Sequence, residues 1–451
     1  MHKREYGQEQ PGIKLGMFVI RIPFIHYRWE VSEFLQALIM CATCLGAIPI
    51  LTDVLNIPFE LAWSMVIING FLYTLHSTLG DPVVPGWITP SIPLTLVYLN
   101  AIPEGEQRIR ALIALQILVG IIFVVMGLTG IAGKLLGIVP ESIKSGILLG
   151  AGIAAVTGQF KEGGNFDKFP ITFSIGVLAA LFLLFSDLFK DLRKGNKILE
   201  KIGGYGMLPA IILSIVVGPL FAEFPAPKIE LFPIFKIPDF MGIIHTLSPF
   251  GVGFPSAKEF ISAIPMAIVV YIIAFGDFVT SEALLNEADE MRPDEKINFD
   301  ANRSNLISGI RNITMGLFTP YPPLCGPLWA AITTSVAERY KEGPDKMESI
   351  FSGVGTFRWT SFIAVALTPI VTLVQPILPA ATALTLLVQG FVCVRLAIET
   401  ADTHIDRGIA GIIGAIIVVR GASIGLAAGI LLHLILSKRK KKDSETSVAK
   451  A

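Results

Sequence analysis

Apolar residues run almost without polar interruption over long stretches of this chain. Ala111–Leu136, Phe260–Leu285 and Ile377–Ile398 are three of them. Crossing the hydrocarbon core of a bilayer takes ~20 mostly apolar residues. Runs this long and continuous predict helices rather than the alternating segments of a barrel, because backbone in lipid must satisfy its own polar groups. Fourteen segments are read along the chain. They begin near Phe34, Pro58, Thr89, Ala111, Ile143, Ile171, Gly206, Phe260, Leu306, Pro327, Ile350, Ile377, Gly408 and Ala422. The last two are short and adjacent, and one long helix in their place would make thirteen.

Two segments break the pattern. The third reads GDPVVPGWITPSIPLTLVYL from Gly80, and the tenth TPYPPLCGPLWAAITTSVAER from Thr319. Proline removes a backbone donor and clashes with the preceding turn, so neither is helical throughout. Each then reaches a proline suited to the first helical turn, Pro90 behind Thr89 and Pro327 behind Gly326. Both therefore predict an extended strand followed by a half-helix that starts inside the membrane. Both are third in a run of seven, and matched breaks at corresponding positions point to a transporter site. An odd number of crossings per half inverts the second half. The expected fold is an all-α polytopic membrane protein with 14 transmembrane segments in two inverted seven-segment repeats, and strand-plus-half-helix breaks in segments 3 and 10.

Charge placement sets the orientation. Lys and Arg concentrate on the cytoplasmic side. Basic residues crowd the N-terminal stretch (Lys3, Arg4, Lys14, Arg21, Arg28), the loops after segments six, eight and ten, and the tail from Lys438 to Lys442. Both termini are read as cytoplasmic, which favours fourteen crossings; Arg108, Arg110 and Arg420 fall on the other side. The Pro- and Phe-rich stretch 221–257 falls outside, as a packed cap or linker. Charged residues make up 16% of the chain, below the roughly 25% of soluble domains. The formal net charge is zero, so there is no basic footprint for nucleic acid. Cys41, Cys44, Cys325 and Cys393 lie in apolar surroundings and read as ordinary membrane-helix residues. No secretory leader, nucleotide loop, zinc cluster or nucleophile elbow is read, and no cofactor or metal is expected.

The stretch GIRNITMGLFTPYPPLCGPLWAAIT from Gly309, with Gly309, Asn312, Phe318 and Cys325–Gly326 in register, resembles the ninth-to-tenth segment region of sulfate permeases. IVPESIKSGILLGAGIAAVTGQF from Ile138 is similar to their fifth segment. The resemblance extends to the superfamily that also holds the nucleobase (xanthine–uracil) permeases. It departs in three places. Trp329 stands where many sulfate permeases carry an arginine. Gly326, Pro327 and Leu328 stand where nucleobase permeases place a glutamate. The last apolar segment is followed by a short charged tail rather than a cytoplasmic regulatory domain. The resemblance implies a core domain of residues 33–137 and 258–374 and a gate domain of 138–221 and 375–437. These lie between an N-terminal segment 1–32, a linker 222–257 and a basic tail 438–451. It also implies a substrate between the half-helix starts and the eighth segment, and movement of one domain against the other.

Asp277 is the sharpest single residue, a lone acid in AIVVYIIAFGDFVTSEALL. An intramembrane carboxylate marks function by default, here coupling to H⁺ or Na⁺, with Thr280 and Ser281 one turn on as further oxygen ligands. The alternative is a structural hydrogen bond to a broken-helix backbone. Glu282 points to another face. Thr89, Pro90 and Ser91 at one break, and Cys325, Gly326, Pro327 and Leu328 at the other, are the candidate substrate contacts; helix capping alone is the alternative for the hydroxyls. Trp87 and Trp329 flank the starts, as walls for a planar anion or as packing. Arg311 sits inside the ninth segment, to pair with an acid, to snorkel or to meet substrate. The acids and His404 from Glu399 to Asp406 read as a loop cluster. The expected activity is secondary active transport of a small anionic solute, an inorganic oxyanion or small carboxylate, because helix N-termini favour anions. A nucleobase permease is the alternative; an anion channel and an intramembrane enzyme are remoter. The partners expected are the solute and the lipid bilayer of the cell membrane; homodimerisation is left open.

Overall fold

The computed structural model describes residues 4–204 and 206–436. The basic tail lies outside these residues, as do the assignments made to it. The chain is mostly helical, with a helix at each position where an apolar segment was read. These helices are α1 (Val31–Leu45), α2 (Phe59–Thr78), α3 (Ile92–Asn100), α4 (Glu106–Thr129), α5 (Glu141–Phe160), α6 (Pro170–Phe185), α7 (Leu208–Leu220), α8 (Ala257–Met291), α9 (Ala301–Phe318), α10 (Ala330–Lys341), α11 (Ile350–Val365), α12 (Leu378–Thr400), α13 (His404–Arg420) and α14 (Ala422–Leu436). Shorter helices lie between them. Two-residue strands β3 (Gly86–Trp87) and β4 (Cys325–Gly326) precede α3 and α10; β1 (Ile13–Leu15) and β2 (Phe18–Ile20) form a hairpin in the N-terminal arm.

Local chemistry sets the helix boundaries. A capping box of Ser256 and Glu259 starts the 35-residue α8, and one of Thr403 and Asp406 starts α13, which gives Asp406 a structural task. Gly421, at φ +84°, separates α13 from α14, so the last two segments are distinct helices that pack on each other. Among the described residues, five helical stretches are long and apolar enough to cross a membrane, Val31–Leu55, Glu106–Thr129, Glu141–Lys168, Ala257–Met291 and Thr368–Thr400, and the bent pair Pro170–Phe185 and Asp187–Arg193 would make a sixth as one span. Large apolar side chains such as Ile121, Leu128, Leu178, Ile268 and Leu434 are exposed on the helices. A face of that kind suits lipid rather than water.

The helices pack as two groups. In the first, α4 crosses α9 and α8, while α11 packs on α1 and α2 and α10 on α8 and α11. In the second, α5 packs on α12 and α13, α13 on α14, and α6 on α7 and α12. Small residues permit the closest crossings. A Cβ on Gly120 of α4 would stand 3.0 Å from Gly309 O of α9, and one on Gly152 of α5 would stand 2.9 Å from Gly390 O of α12. With apolar lipid outside, such backbone proximity is what drives helix association.

Chain outside the long helices packs on each end of the bundle. At the linker end, Lys236 N–H donates to Ala366 O, Thr368 N–H to Ile234 O, and Asp239 N–H to Ser64 Oγ. The linker is thus a packed cap, and it contains helices Phe240–Leu247 and Pro249–Val252. At the arm end, Arg4 pairs with Asp294 at 2.9 Å and Glu295 at 3.4 Å. Arg21 is buried, donating to Gln10 O and pairing with Glu9 at 2.8 Å. Two of the basic residues used to orient the chain are therefore tied into its folded surface.

Candidate functional site

The two breaks meet. β3 and β4 pair antiparallel, Gly86 opposite Gly326 and Trp87 opposite Cys325. The pairing extends beyond the strands: Ile88 N–H donates to Leu324 O, Trp329 N–H to Val84 O, and Val84 N–H to Thr333 Oγ1. Asn312 of α9 brackets the outer edge of β4, accepting from Cys325 N–H at 2.9 Å and donating to Cys325 O at 2.8 Å. Extended backbone at such depth survives where protein satisfies it, and here each break does so for the other. Side chains alternate across the ribbon. Cys325 and Trp87 pack with α1, α2 and α11, whereas Ile88 and Leu324 join the apolar cluster of α8 that holds Tyr271, Ala274 and Phe278. Leu324 has φ +51°, a costly conformation for a branched residue and one that belongs to constrained turns.

The glycines are sterically required. A Cβ on Gly326 would lie 2.8 Å from the carbonyl carbon and oxygen of Trp87, and one on Gly86 would lie 2.8 Å from Leu328 O. A bulky residue at 326 therefore tests the ribbon itself, not ligand contact alone.

The helix starts differ from the expectation at both breaks. Thr89–Ser91 form a 3₁₀ turn with Pro90 in it, leading into α3 at Ile92; Ile88, not Thr89, holds the capping position. At the second break, Pro327 does not open the helix. Pro327 and Leu328 lie outside the helix and α10 begins at Ala330, with Trp329 as its cap. Trp329 itself has extended backbone, φ −108° and ψ 91°, and its N–H donates to Val84 O of the first break. The first intrahelical bond is from Thr333 N–H to Trp329 O, which leaves the N–H groups of Ala330, Ala331 and Ile332 without a partner among the described residues.

The predicted residues divide between the breaks and α8. Ser91 is buried and its hydroxyl donates to Ile88 O at 2.7 Å, so it is spent on the turn. Thr89, Pro90, Trp87 and Trp329 are half-buried, and Cys325, Gly326, Pro327 and Leu328 are buried. On α8, Asp277 is half-buried, and its carboxylate makes no hydrogen bond or ion pair among the described residues. Thr280 and Ser281 donate to Gly276 O and Asp277 O of their own helix, and Glu282 is exposed. Arg311 neither snorkels nor meets an acid directly. It is fully buried, donating to Gly326 O at 2.9 Å and facing His76 Nε2 at 3.1 Å. His76 Nδ1 in turn lies 2.7 Å from Asp81. Sequence reading passed over His76, Asp81 and Arg358. The signal was available in all three, as polar or charged residues inside apolar runs.

A cavity of about 900 Å³ opens between the two helix groups at the linker end, lined among others by Asp53, Pro93, Asn100, Gln159 and Thr382. Ile50, Thr382 and Leu386 at its wall also bound a small void that reaches Trp87 and Ile92. The half-helices relate differently to the second group. α3 packs on α5 and α13; α10 packs on α8 and α11 of its own group, and its first residues Ala330 and Ala331 are exposed.

No protein-family model matches the chain, and no curated protein matches its sequence. Solved structures do resemble it. The transmembrane domain of a cyanobacterium bicarbonate transporter, BicA, superposes with a TM-score of 0.51 at 14% identity, over 89% of this chain and 97% of that one. The murine Solute Carrier 26 family member A9 anion transporter in the inward-facing state gives 0.52 at 14% identity, over 90% of this chain and 69% of that one. A further SLC26A9 structure gives 0.51 at 14%, over 91% and 66%. The chain thus has the membrane-embedded fold of the Solute Carrier 26 anion transporters and the bicarbonate transporter, the fold that the sulfate-permease resemblance led us to expect.

Proposed function

We propose that this protein is a secondary active transporter of a small anionic solute, with bicarbonate-sized oxyanions and small carboxylates as the first substrates to try. The observation that carries the reading is the β3–β4 ribbon, which brings two half-helix starts together at the face between two separately packed helix groups. Free N–H groups and the positive end of the helix dipole favour an anion there. Antiparallel pairing of two strands from corresponding segments is what inverted seven-segment repeats produce. Fourteen crossings with both termini in the cytoplasm follow from that symmetry and from the basic arm. The bicarbonate and anion transport named for the proteins of like fold supports the same substrate class.

In this reading α1–α4 and α8–α11 carry the site, and the second group is the wall against which it moves. The cavity between the groups, lined in part by Pro93 and Asn100 of α3, corresponds to a state open toward the linker end. Asp277 carries the coupling ion, H⁺ or Na⁺, because its carboxylate has no protein partner and an intramembrane charge must be compensated.

Proteoliposomes test this directly. Gradient-driven, saturable uptake of bicarbonate, sulfate or a small carboxylate is expected, with concentration above equilibrium when H⁺ or Na⁺ is supplied. Flux that only dissipates a gradient contradicts the transporter reading, and uptake confined to nucleobases contradicts the substrate class. Asp277→Asn should abolish accumulation and spare exchange. Wild-type accumulation in that variant removes Asp277 from the coupling role.

A further inference from the structure

Two arginines stand inside the first helix group with donors that no described residue satisfies. Arg311 of α9 and Arg358 of α11 are both fully buried. Their guanidinium carbons lie 4.6 Å and 4.2 Å from the centre of the same ring, Tyr73 of α2. Nη1 of Arg311 is engaged by Gly326 O and His76, but its Nε and Nη2 have no hydrogen-bond partner among the described residues. In Arg358 none of the three nitrogens has one. Around Arg358 stand the rings of Trp329 and Phe357, 5.1 Å and 5.6 Å away, and the thiol of Cys44.

The charges in this cluster do not balance. Its carboxylate is Asp81, separated from Arg311 by the His76 ring, and one oxygen of Asp81 is itself without a partner. That leaves two guanidinium cations against one acid. Aromatic faces stabilise a cation through the ring quadrupole, but they do not accept the in-plane N–H groups of the guanidinium fork. Arginine does not shed its proton to escape burial. A buried charge without a counter-charge is among the most costly features a fold can hold. The missing element is therefore an acceptor of negative charge, with room for several N–H donors around it.

We propose that the Arg311–Arg358 cluster holds one small monovalent anion, of chloride or nitrate size, inside the first helix group. The single excess positive charge sets the valence, and the complete burial of both guanidinium groups sets the size. The site is separate from the space before α3 and α10, since Arg311 reaches the ribbon from its other side through Gly326 O. Trp329 stands over Arg358 and is half-buried next to the exposed Ala330, which makes it the side chain that covers the way in. The bound anion fixes Arg311 and, through it, the carbonyl of β4. It is a structural ion of the ribbon rather than cargo, and the inference does not depend on the transport reading.

Equilibrium dialysis with chloride-36 on the purified full chain in gluconate buffer tests the site, alongside thermal unfolding during titration with chloride, nitrate and sulfate. The wild type should retain one chloride per chain. Its apparent Tm should rise with chloride and nitrate and stay flat with sulfate, because a ligand that binds the folded state stabilises it. R358M removes the excess charge and should lose both the retained chloride and the Tm response. Should R358M fail to fold, R358K keeps the charge without the fork and should bind at least tenfold more weakly. No retained chloride in the wild type overturns the proposal, as does a response that R358M or R358K leaves unchanged; the donors are then met by buried water. A protein that binds chloride through Arg358 yet transports nothing contradicts the transporter reading and supports this one.

Discussion

The first break, from Gly80 to Asn100, and the second, from Thr319 to Lys341, have the same plan and different surroundings. Each offers two strand residues to the other and then a short helix, of 9 residues in α3 and 12 in α10. At 1.5 Å rise per residue these span about 14 and 18 Å, too little for a ~30 Å hydrocarbon core, so each needs its strand to complete a crossing. The first break is held from one side by its partner and enters a helix that the second group covers. The second break is additionally held by α9, through Asn312 and Arg311, and enters a helix whose start is exposed. The difference separates two tasks. One half-helix packs on the opposing group beside the cavity between them, while the other is fixed from behind and exposed at its start.

The comparison can be broken at the ribbon. Gly326→Ala places a Cβ against the backbone of Trp87, which has no flexible end to retreat. We expect a loss at or above the ~3 kcal/mol upper range of overpacking, seen as collapse of folded yield and a large fall in Tm. A well-folded Gly326→Ala variant with wild-type Tm would mean that the two breaks are not so closely paired. Asn312→Ala strips a donor and an acceptor from β4 at once. Each unsatisfied buried group costs about 1–3 kcal/mol, so destabilisation of a few kcal/mol is expected, with Cys325 becoming reactive to thiol reagents. Thr333→Val removes the acceptor for Val84 N–H at the first break and should cost about 1 kcal/mol, since that break keeps its bonds to Leu324 and Trp329. Equal losses for Asn312→Ala and Thr333→Val would erase the asymmetry in how the breaks are anchored.

The prolines made the breaks legible, because a proline-rich apolar run excludes continuous helix whatever the fold. Their pairing was not legible. Residues 86 and 326 are distant in the chain, and register in so short a ribbon is set by tertiary contacts. The misplaced start of α10 has the same origin: Pro327 fits a first helical turn, but Trp329 lies extended beside Val84 of the first break and the helix begins at Ala330. For charge, the rule that singled out Asp277 and Arg311 applied equally to Arg358, in FSGVGTFRWTSF. The same rule reaches His76 and Asp81, a polar and a charged residue at the end of the apolar α2.

The central claim is that the exposed start of α10 belongs to a transport site while the start of α3 is packed, and one preparation tests it. Ala330→Cys and Leu94→Cys are each reconstituted, and anion uptake is measured before and after a membrane-impermeant thiol reagent, the four native cysteines being buried. The account predicts that Ala330→Cys is modified, that modification stops uptake and that bound anion slows it, while the buried Leu94→Cys resists. Full modification of Ala330→Cys with uptake unchanged, or equal reactivity at the two positions, would contradict it.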